Sequence, residues 1–151
     1  MPIRWGTPEY HVPRLSGSTR YSFAMSGEAL TILFDDAQVT LRATDGRLHA
    51  AWLGSIVVPV TGEATTVRAQ IRGSVQKEEG GRAVLFANVG GVLTTIDFAY
   101  GSSSEEDLVY DFSFDLGGDA RRLGVDLLLL AERRDDAADL MLVIDSIDVA
   151  T

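Results

Sequence analysis

The chain contains no cysteine and a single lysine, Lys77. Without cysteine it can form no disulfide, thiolate nucleophile, or Cys-ligated zinc or iron–sulfur site. Its two histidines, His11 and His49, are not accompanied by a G-x-S-x-G nucleophile motif, so neither is the expected base of a catalytic triad. The sequence leaves enzymatic activity uncertain and favours a non-catalytic protein.

Basic side chains are also scarce, with 13 Lys and Arg against 22 Asp and Glu, a net charge of −9 and no acidic tail. Such a surface repels phosphate groups, so neither nucleic acid nor a membrane surface is an expected partner. No apolar run approaches the roughly 20 residues of a transmembrane helix, and the N-terminus lacks the apolar region of a signal peptide. As written, the chain predicts a cytoplasmic protein, although a mature exported chain without its leader would look the same.

The length of 151 residues predicts one domain with a substantial core. Residues 1–19 hold three of the four prolines, together with Trp5 and Tyr10. Because proline disfavours both helix and regular sheet, this segment predicts an extended arm. Residues 20–151 are expected to form a single β domain.

The clearest pattern in the chain is the period-two alternation from Thr66 to Gln76. Its apolar positions share one face of a half-solvated strand: Val67, Ala69, Ile71, Gly73 and Val75. Similar runs along the chain predict nine or ten strands. The expected fold is all-β, an antiparallel two-sheet sandwich of the jelly-roll kind, with a closed β-barrel as the alternative.

Three local features bear on how the predicted strands are connected and buried. Lys77 to Gly81 predicts an exposed hairpin tip, with 83–88 as the return strand. Trp52 to Val60 does not alternate, which suits a strand buried on both faces or one at an edge. The C-terminal third is rich in helix formers, but the strand spacing of Val125, Leu127 and Leu129 favours strands over a helical hairpin.

Two weak resemblances rest on particular segments. The run Ala29 to Leu41 (ALTILFDDAQVTL), the central segment 81–91 and the run Met141 to Val149 (MLVIDSIDV) resemble the layout of a family of small fungal and bacterial all-β proteins without assigned function, usually exported. The closing strand also resembles the last strand of jelly-roll carbohydrate-binding modules. These resemblances imply a β-sandwich and supply no catalytic residue.

Aromatic side chains recur at strand spacing and are the strongest candidates for a site. In a sandwich the row Phe98, Tyr100, Tyr110, Phe112 and Phe114 would be part of the core. In a hollow barrel aromatic side chains would line a cavity for one apolar ligand. The residues predicted for that cavity and its lid are Trp5, Tyr10, Tyr21, Trp52, Tyr100 and Tyr110.

Carboxylates suggest one further site. A structural calcium ion is a minor possibility at Asp35 and Asp36 together with Asp145 and Asp148, although no dense calcium-binding loop is present. Otherwise no cofactor is expected. Asp111 and Asp115 are functional candidates only if their face lines an interior.

Two hypotheses about function follow. The first is a non-catalytic binding or assembly module with a protein or glycan partner, which forms a homo-oligomer through an edge strand around Arg68, Gln70 and Arg72. The alternative is a hollow β-barrel that binds an apolar small molecule. The enzymatic form of this alternative is a cyclase that acts by shaping its substrate.

Overall fold

The computed structural model describes residues 3–11, 21–63, 65–116, 122–134 and 136–151, with the backbone alone at Tyr10, His11 and Thr65. In this part of the chain, eleven strands form two sheets, and every strand pair described is antiparallel. A 3-10 turn occupies Ala43–Asp45. Among the described residues, no helix has the length and apolarity needed to span a membrane.

Each sheet contains strands from several parts of the chain. In the first sheet, β1 and β2 both pair with one edge of β5, and β10, β7 and β8 follow on its other side. The bounds of these six strands, in the same order, are Arg4–Trp5, Glu9–His11, His49–Thr61, Arg122–Arg133, Gly81–Val89 and Val92–Phe98. The second sheet has the order β3, β4, β11, β6 and β9, with bounds Tyr21–Ser26, Ala29–Leu41, Leu140–Ala150, Thr65–Lys77 and Ser104–Leu116.

Eight of these strands are related as a folded ribbon. β7 pairs with β8, β6 with β9, β5 with β10 and β4 with β11. In chain order the pairs are nested, so that each pair encloses the one named before it. Successive pairs lie alternately in the first and the second sheet. A long antiparallel ribbon wrapped in this way is a jelly roll, which confirms the predicted sandwich over the alternative closed barrel.

The tip of this ribbon is the turn at Gly90–Gly91, which joins Val89 to its partner Val92. Both glycines have positive φ, 61° and 87°, as a tight two-residue hairpin requires. A Cβ on Gly90 would lie 2.3 Å from a ring carbon of Phe114, whereas one on Gly91 would meet nothing within 4 Å. The amide of Gly90 also donates to the carbonyl of Gly124 at 3.0 Å. Gly90 is therefore required both by the turn and by packing.

The space between the sheets is filled mainly by aliphatic side chains. The largest fully buried ones come from both sheets: Leu30, Ile32, Leu41, Ile56, Ile71, Leu85, Leu123, Leu127, Leu129, Leu142, Ile144 and Ile147. The alternation predicted for Thr66 to Gln76 is confirmed, and Val125, Leu127 and Leu129 are buried on a strand as expected. The aromatic row belongs only partly to the core, because four of its residues lie on the edge strands β8 and β9. Of these four, Phe114 is buried, and Phe98, Tyr110 and Phe112 are half-buried.

Two predictions about local connections are wrong. Lys77 to Gly81 is not a hairpin tip, because β6 and β7 lie in different sheets and the segment crosses between them. Lys77 itself is buried, and Glu78 is fixed by a hydrogen bond from its amide to the carbonyl of Asp139 at 3.0 Å. Secondly, the strand containing Arg68, Gln70 and Arg72 is not an edge, because β6 lies between β11 and β9.

The N-terminal arm extends the first sheet. β1 and β2 both pair with the outer edge of β5, and the indole Nε1 of Trp5 donates to the carbonyl of Glu28 at 2.9 Å, in the turn between β3 and β4. The hydroxyl of Tyr21 donates to the carbonyl of Pro8 at 3.1 Å. Residues 1, 2 and 12–19 of the predicted arm lie outside the described part of the chain.

We expect the ribbon tip to distinguish two otherwise similar variants. Gly91→Ala should reduce the free energy of unfolding by about 1 to 2 kcal/mol, the cost of a left-handed conformation for an alanine. Gly90→Ala adds the clash with Phe114 and should cost about 1 to 3 kcal/mol more. Urea denaturation of both variants measures the difference, and equal losses would show that Phe114 does not restrict the turn.

The strand phase of β6 predicts a second contrast. Ile71→Ala removes a fully buried side chain and should cost about 2 to 5 kcal/mol. Val109→Ala on the neighbouring strand β9 is the matched control, since Val109 is 58% exposed and its truncation should stay within about 0.5 kcal/mol. If the Val109 variant were the less stable of the two in urea, the assigned faces of this sheet would be reversed.

Candidate functional site

The outer face of the first sheet carries a row of apolar side chains. The register aligns Leu53, Leu128, Phe86 and Thr95 across four adjacent strands. Leu53 is 43% exposed and Phe86 37%, and Leu93 in the next row is 80% exposed. Contiguous exposed apolar groups of this kind mark a binding surface more often than chance.

A polar row runs beside it, two residues further along each strand. It consists of Ser55, Asp126 and Asn88, followed by Leu93 at the sheet edge. The hydroxyl of Ser55 donates to the carboxylate of Asp126. The amide Oδ1 of Asn88 is buried and receives no hydrogen bond from the described residues. A buried acceptor without a donor is costly, so Asn88 is a point where a ligand hydroxyl would be favoured.

The two rows border a shallow groove of about 230 Å³, which we call the apolar groove. Its lining includes Leu53, Phe86, Asn88, Leu93, Asp126 and Leu128. It offers an apolar floor with one carboxylate and one amide at its side. This combination suits a ligand with one apolar surface and several hydroxyl groups.

Charged side chains close one end of the same face. Arg82 donates from Nε and Nη2 to the carboxylate of Asp97 at 3.0 and 2.8 Å, and its Nη1 lies 3.5 Å from Glu132. The hydrogen bond from Arg82 holds the pKa of Asp97 below its usual value and Asp97 in turn raises the pKa of Arg82. Burial, reinforced by the hydrogen bond from its hydroxyl to Glu132 at 3.1 Å, raises the pKa of Tyr100. Asp97 and Glu132 are thus already paired with Arg82. Asp126 accepts one hydrogen bond, from Ser55, so its second carboxylate oxygen and the amide oxygen of Asn88 are the acceptors offered to a ligand.

The outer face of the second sheet is polar instead. A groove of about 500 Å³ there is lined by Arg68, Gln70, Arg72, Asp111 and Asp148, among others. Gln70 Nε2 donates to Asp111 at 2.7 Å, Thr31 donates to Asp148 at 2.6 Å, and Arg72 donates to Gln70. Because these side chains satisfy one another, a ligand would have to break their bonds. Asp111 and Asp115 face outward here and do not line an interior.

A third groove, of about 480 Å³, lies at the end of the second sheet beside Lys77, Glu78, Ser104 and Asp139. The ammonium group of Lys77 donates to the carbonyl of Ser102, and the side chain is only 4% exposed. Burial lowers the pKa of Lys77, and the nearby carboxylate of Glu79 partly offsets this effect. Glu78 Oε2 accepts from the amide of Asp139 at 3.2 Å, while Asp139 Oδ1 accepts from the amide of Ala43 at 2.7 Å. The loops at this end of the sandwich are therefore held to one another by hydrogen bonds.

The aromatic residues predicted for a barrel cavity do not converge on one site. Trp5 lies on β1 and is buried. Trp52 is buried in the core, edge-to-face with Phe34, and the two ring centroids are 6.4 Å apart. The half-buried ring of Tyr100 contacts the Arg134 guanidinium at 4.6 Å from the ring centroid. Tyr110 lies beside Phe112, with ring centroids 5.6 Å apart. Tyr21 bonds to Pro8 as described above, and the side chain of Tyr10 lies outside the described part. Since the fold is a sandwich, the condition for that predicted cavity is not met.

The predicted calcium ligands are divided between two places. Asp35 and Asp36 on β4 face an irregularity in β11 between Ile144 and Ser146, where Asp145 lies. Asp148 is further along β11 and bonds to Thr31. Within the described residues, no three His, Asp or Glu side chains are grouped closely enough to hold a metal ion. A calcium site stays a prediction.

The residues of the apolar groove were not among the sequence predictions. The signal in the sequence is the missing alternation from Trp52 to Val60, which we interpret as a strand buried on both faces or one at an edge. In the structure that strand does alternate, with Trp52, Ile56 and Val58 buried and Leu53 exposed. The apolar character of the outward positions is what identifies the face, and only the sheet register shows which residues meet there.

No protein-family model matches the chain, and no curated protein matches it. Among solved structures it is similar to TmCBM61 in complex with beta-1,4-galactotriose, with 13% identity over 94% of this chain and 86% of that one and a TM-score of 0.42. It is also similar to the carbohydrate-binding module CBM6cm-2 from Cellvibrio mixtus lichenase 5A in complex with cellotriose, with 11% identity, coverage of 95% and 96%, and a TM-score of 0.31. A structure of the infectious bursal disease virus Gx strain matches at 11% identity and TM-score 0.36 over 96% of this chain and 32% of that one.

The buried lysine supplies a test of the third groove. Because burial disfavours the charged amine, we expect Lys77 to titrate below 10.5, and ¹³Cε NMR can follow it without ambiguity as the only lysine. Between its folded pKa and 10.5 the unfolded chain binds more protons, so Lys77 makes stability rise with pH in that window. Glu79→Gln should lower the pKa further, since it removes the charge that stabilises the ammonium, and Glu78→Gln is the control. An unchanged or raised pKa in the Glu79 variant would contradict this assignment.

Proposed function

We propose that this protein is a non-catalytic module that binds a neutral glycan in the apolar groove of the first sheet. The observation that carries the proposal is the adjacency of the two rows, with Leu53, Phe86 and Leu128 forming a platform beside Asp126 and Asn88. A pyranose ring has the matching structure, since its C–H face is apolar and its rim carries hydroxyls. The platform would pack against the ring face, and the rim would bond to the two polar groups.

The energetic argument rests on the state of these side chains without ligand. Phe86 and Leu53 each expose more than a third of their surface, so covering them removes apolar area from water. The carboxylate of Asp126 forms stronger hydrogen bonds to hydroxyls than a neutral acceptor does. A rotation of the Asn88 amide would bring its unpartnered oxygen to a ligand hydroxyl.

Charge selects the ligand class. The chain has a net charge of −9, and the unpaired charge in the groove is the carboxylate of Asp126. Uronates and sulfated sugars would be repelled both by this carboxylate and by the surrounding field. The expected ligands are therefore uncharged oligosaccharides, bound along the sheet surface by internal residues of the sugar chain.

The test is calorimetric titration with soluble neutral oligosaccharides of glucose, galactose, mannose and xylose, and with oligogalacturonate as the anionic probe. We expect at least one neutral series to bind and oligogalacturonate to fail. Phe86→Ala and Asp126→Asn should each weaken binding at least about tenfold, which corresponds to about 1.4 kcal/mol. Phe86→Ala removes the centre of the platform, and Asp126→Asn removes the charge with little change of shape.

Gln70→Ala and Asp111→Asn, in the polar groove of the second sheet, are the matched controls and should bind like the unchanged protein. Binding that is lost in the controls but kept in the Phe86 variant would transfer the site to the second sheet. If no neutral series binds at millimolar concentration, the proposal is wrong.

A further inference from the structure

The four edges of the two sheets differ in how far they are protected from pairing with another strand. The outer edge of β5 is covered by β1 and β2, and β3 is a short strand of six residues. β9 is long, but it carries five carboxylates: Glu105, Glu106, Asp107, Asp111 and Asp115. Short length and charge are the usual means by which edge strands avoid association.

The fourth edge, β8, is only one residue longer than β3 and is distinguished from it by composition. Its sequence VLTTIDF is rich in β-branched and aromatic residues, contains no proline, and has Asp97 as its only charged residue. That carboxylate is paired with Arg82 on the neighbouring strand. In the described part of the chain, no strand pairs with β8 on its outer side. Its outward backbone N–H and C=O groups are therefore open to a partner strand.

We propose that β8 is the self-association edge of this protein, where a second copy pairs its own β8 antiparallel across a two-fold axis. The pairing joins two first sheets into one continuous sheet. This edge adjoins the apolar groove at Leu93 and Thr95, but the pairing is made by backbone groups and does not depend on the proposed glycan ligand.

The β8 strand of a second copy fits this edge better than β3 or β9 of that copy would. Antiparallel pairing of a strand with itself satisfies two-fold symmetry and closes the assembly at a dimer, whereas pairing with β3 or β9 would continue as a filament. It also brings together two edges whose single carboxylate, Asp97, is paired with Arg82, which limits the repulsion between copies of a protein with net charge −9.

The position of Leu93 supports the same arrangement. It is the most exposed large apolar residue described, at 80%, and it lies on the outer face of the edge strand itself. Antiparallel pairing keeps outer-face side chains on one side of the joined sheet, so Leu93 would pack beside outer-face residues of the second copy. The interface is small, and the dimer should therefore dissociate on dilution.

The experiment is analytical ultracentrifugation from about 1 μM to about 1 mM, the range in which a small interface dissociates. We expect the mass to rise from 16.3 kDa towards that of two chains. The double variant Leu93→Glu with Thr95→Glu places extra carboxylates beside the two-fold axis on solvent-exposed positions, and it should stay at the monomer mass throughout. The control, Val109→Glu with Ser113→Glu on exposed positions of β9, adds the same charge and should still dimerise.

Hydrogen exchange on the unchanged protein gives an independent measurement that needs no variant. Amides of 92–98 should become more protected as concentration rises, while those of 104–116 should not. A constant mass of 16.3 kDa with concentration-independent exchange would overturn the proposal. Equal dissociation of both double variants would also overturn it, because general repulsion and not β8 would then control association.

Discussion

The turn at Gly90–Gly91 sets the register on which the rest of the jelly roll depends. It pairs Val89 with Val92, and because the strands continue as one ribbon, this first pair fixes the alignment of those that follow. A slip of one residue at the tip would exchange the buried and exposed faces of β7 and β8. Each later pair encloses a longer loop, so its closure is easier once the preceding pair has formed. A turn with left-handed geometry at two glycines, further restricted by Phe114, makes such a slip costly.

The wrapping of the ribbon also determines which side chains can act together. Successive pairs of the ribbon alternate between the sheets, so each outer face combines strands that are distant in sequence, such as β5 beside β10 and β4 beside β11. On the second sheet this brings Gln70 beside Asp111 and Thr31 beside Asp148, which neutralise one another's hydrogen-bonding groups. On the first sheet it aligns aliphatic and aromatic side chains that are partly exposed, among them Leu53 and Phe86. The same topology thus yields one self-satisfied face and one with unmet binding capacity.

Sequence patterns predicted the class of fold because alternation reports directly on a half-buried strand. The phase of Thr66 to Gln76 and the strand character of the segment with Val125 and Leu127 are confirmed for this reason. The same patterns could not show which strands share a sheet, since that depends on pairing between distant segments. The short connection after Lys77 was therefore predicted as a hairpin, although it crosses between the sheets. Likewise, Asn88 and Asp126 are unremarkable in sequence and become neighbours only through the register of β7 and β10.

Net charge provides the last constraint on where this protein can make contacts. Carboxylates are spread over most of the chain, so two copies, or this chain and an anionic partner, repel each other in most orientations. The first sheet between β5 and β8 carries fewer unpaired carboxylates, because Asp97 and Glu132 are bonded to Arg82, and Asp126 is the charged group that its groove retains. A second copy that approached the edge of this sheet would therefore meet less repulsion than elsewhere on the chain. An uncharged ligand is not affected by the net charge, and the proposed binding on the outer face would depend instead on covering exposed apolar surface.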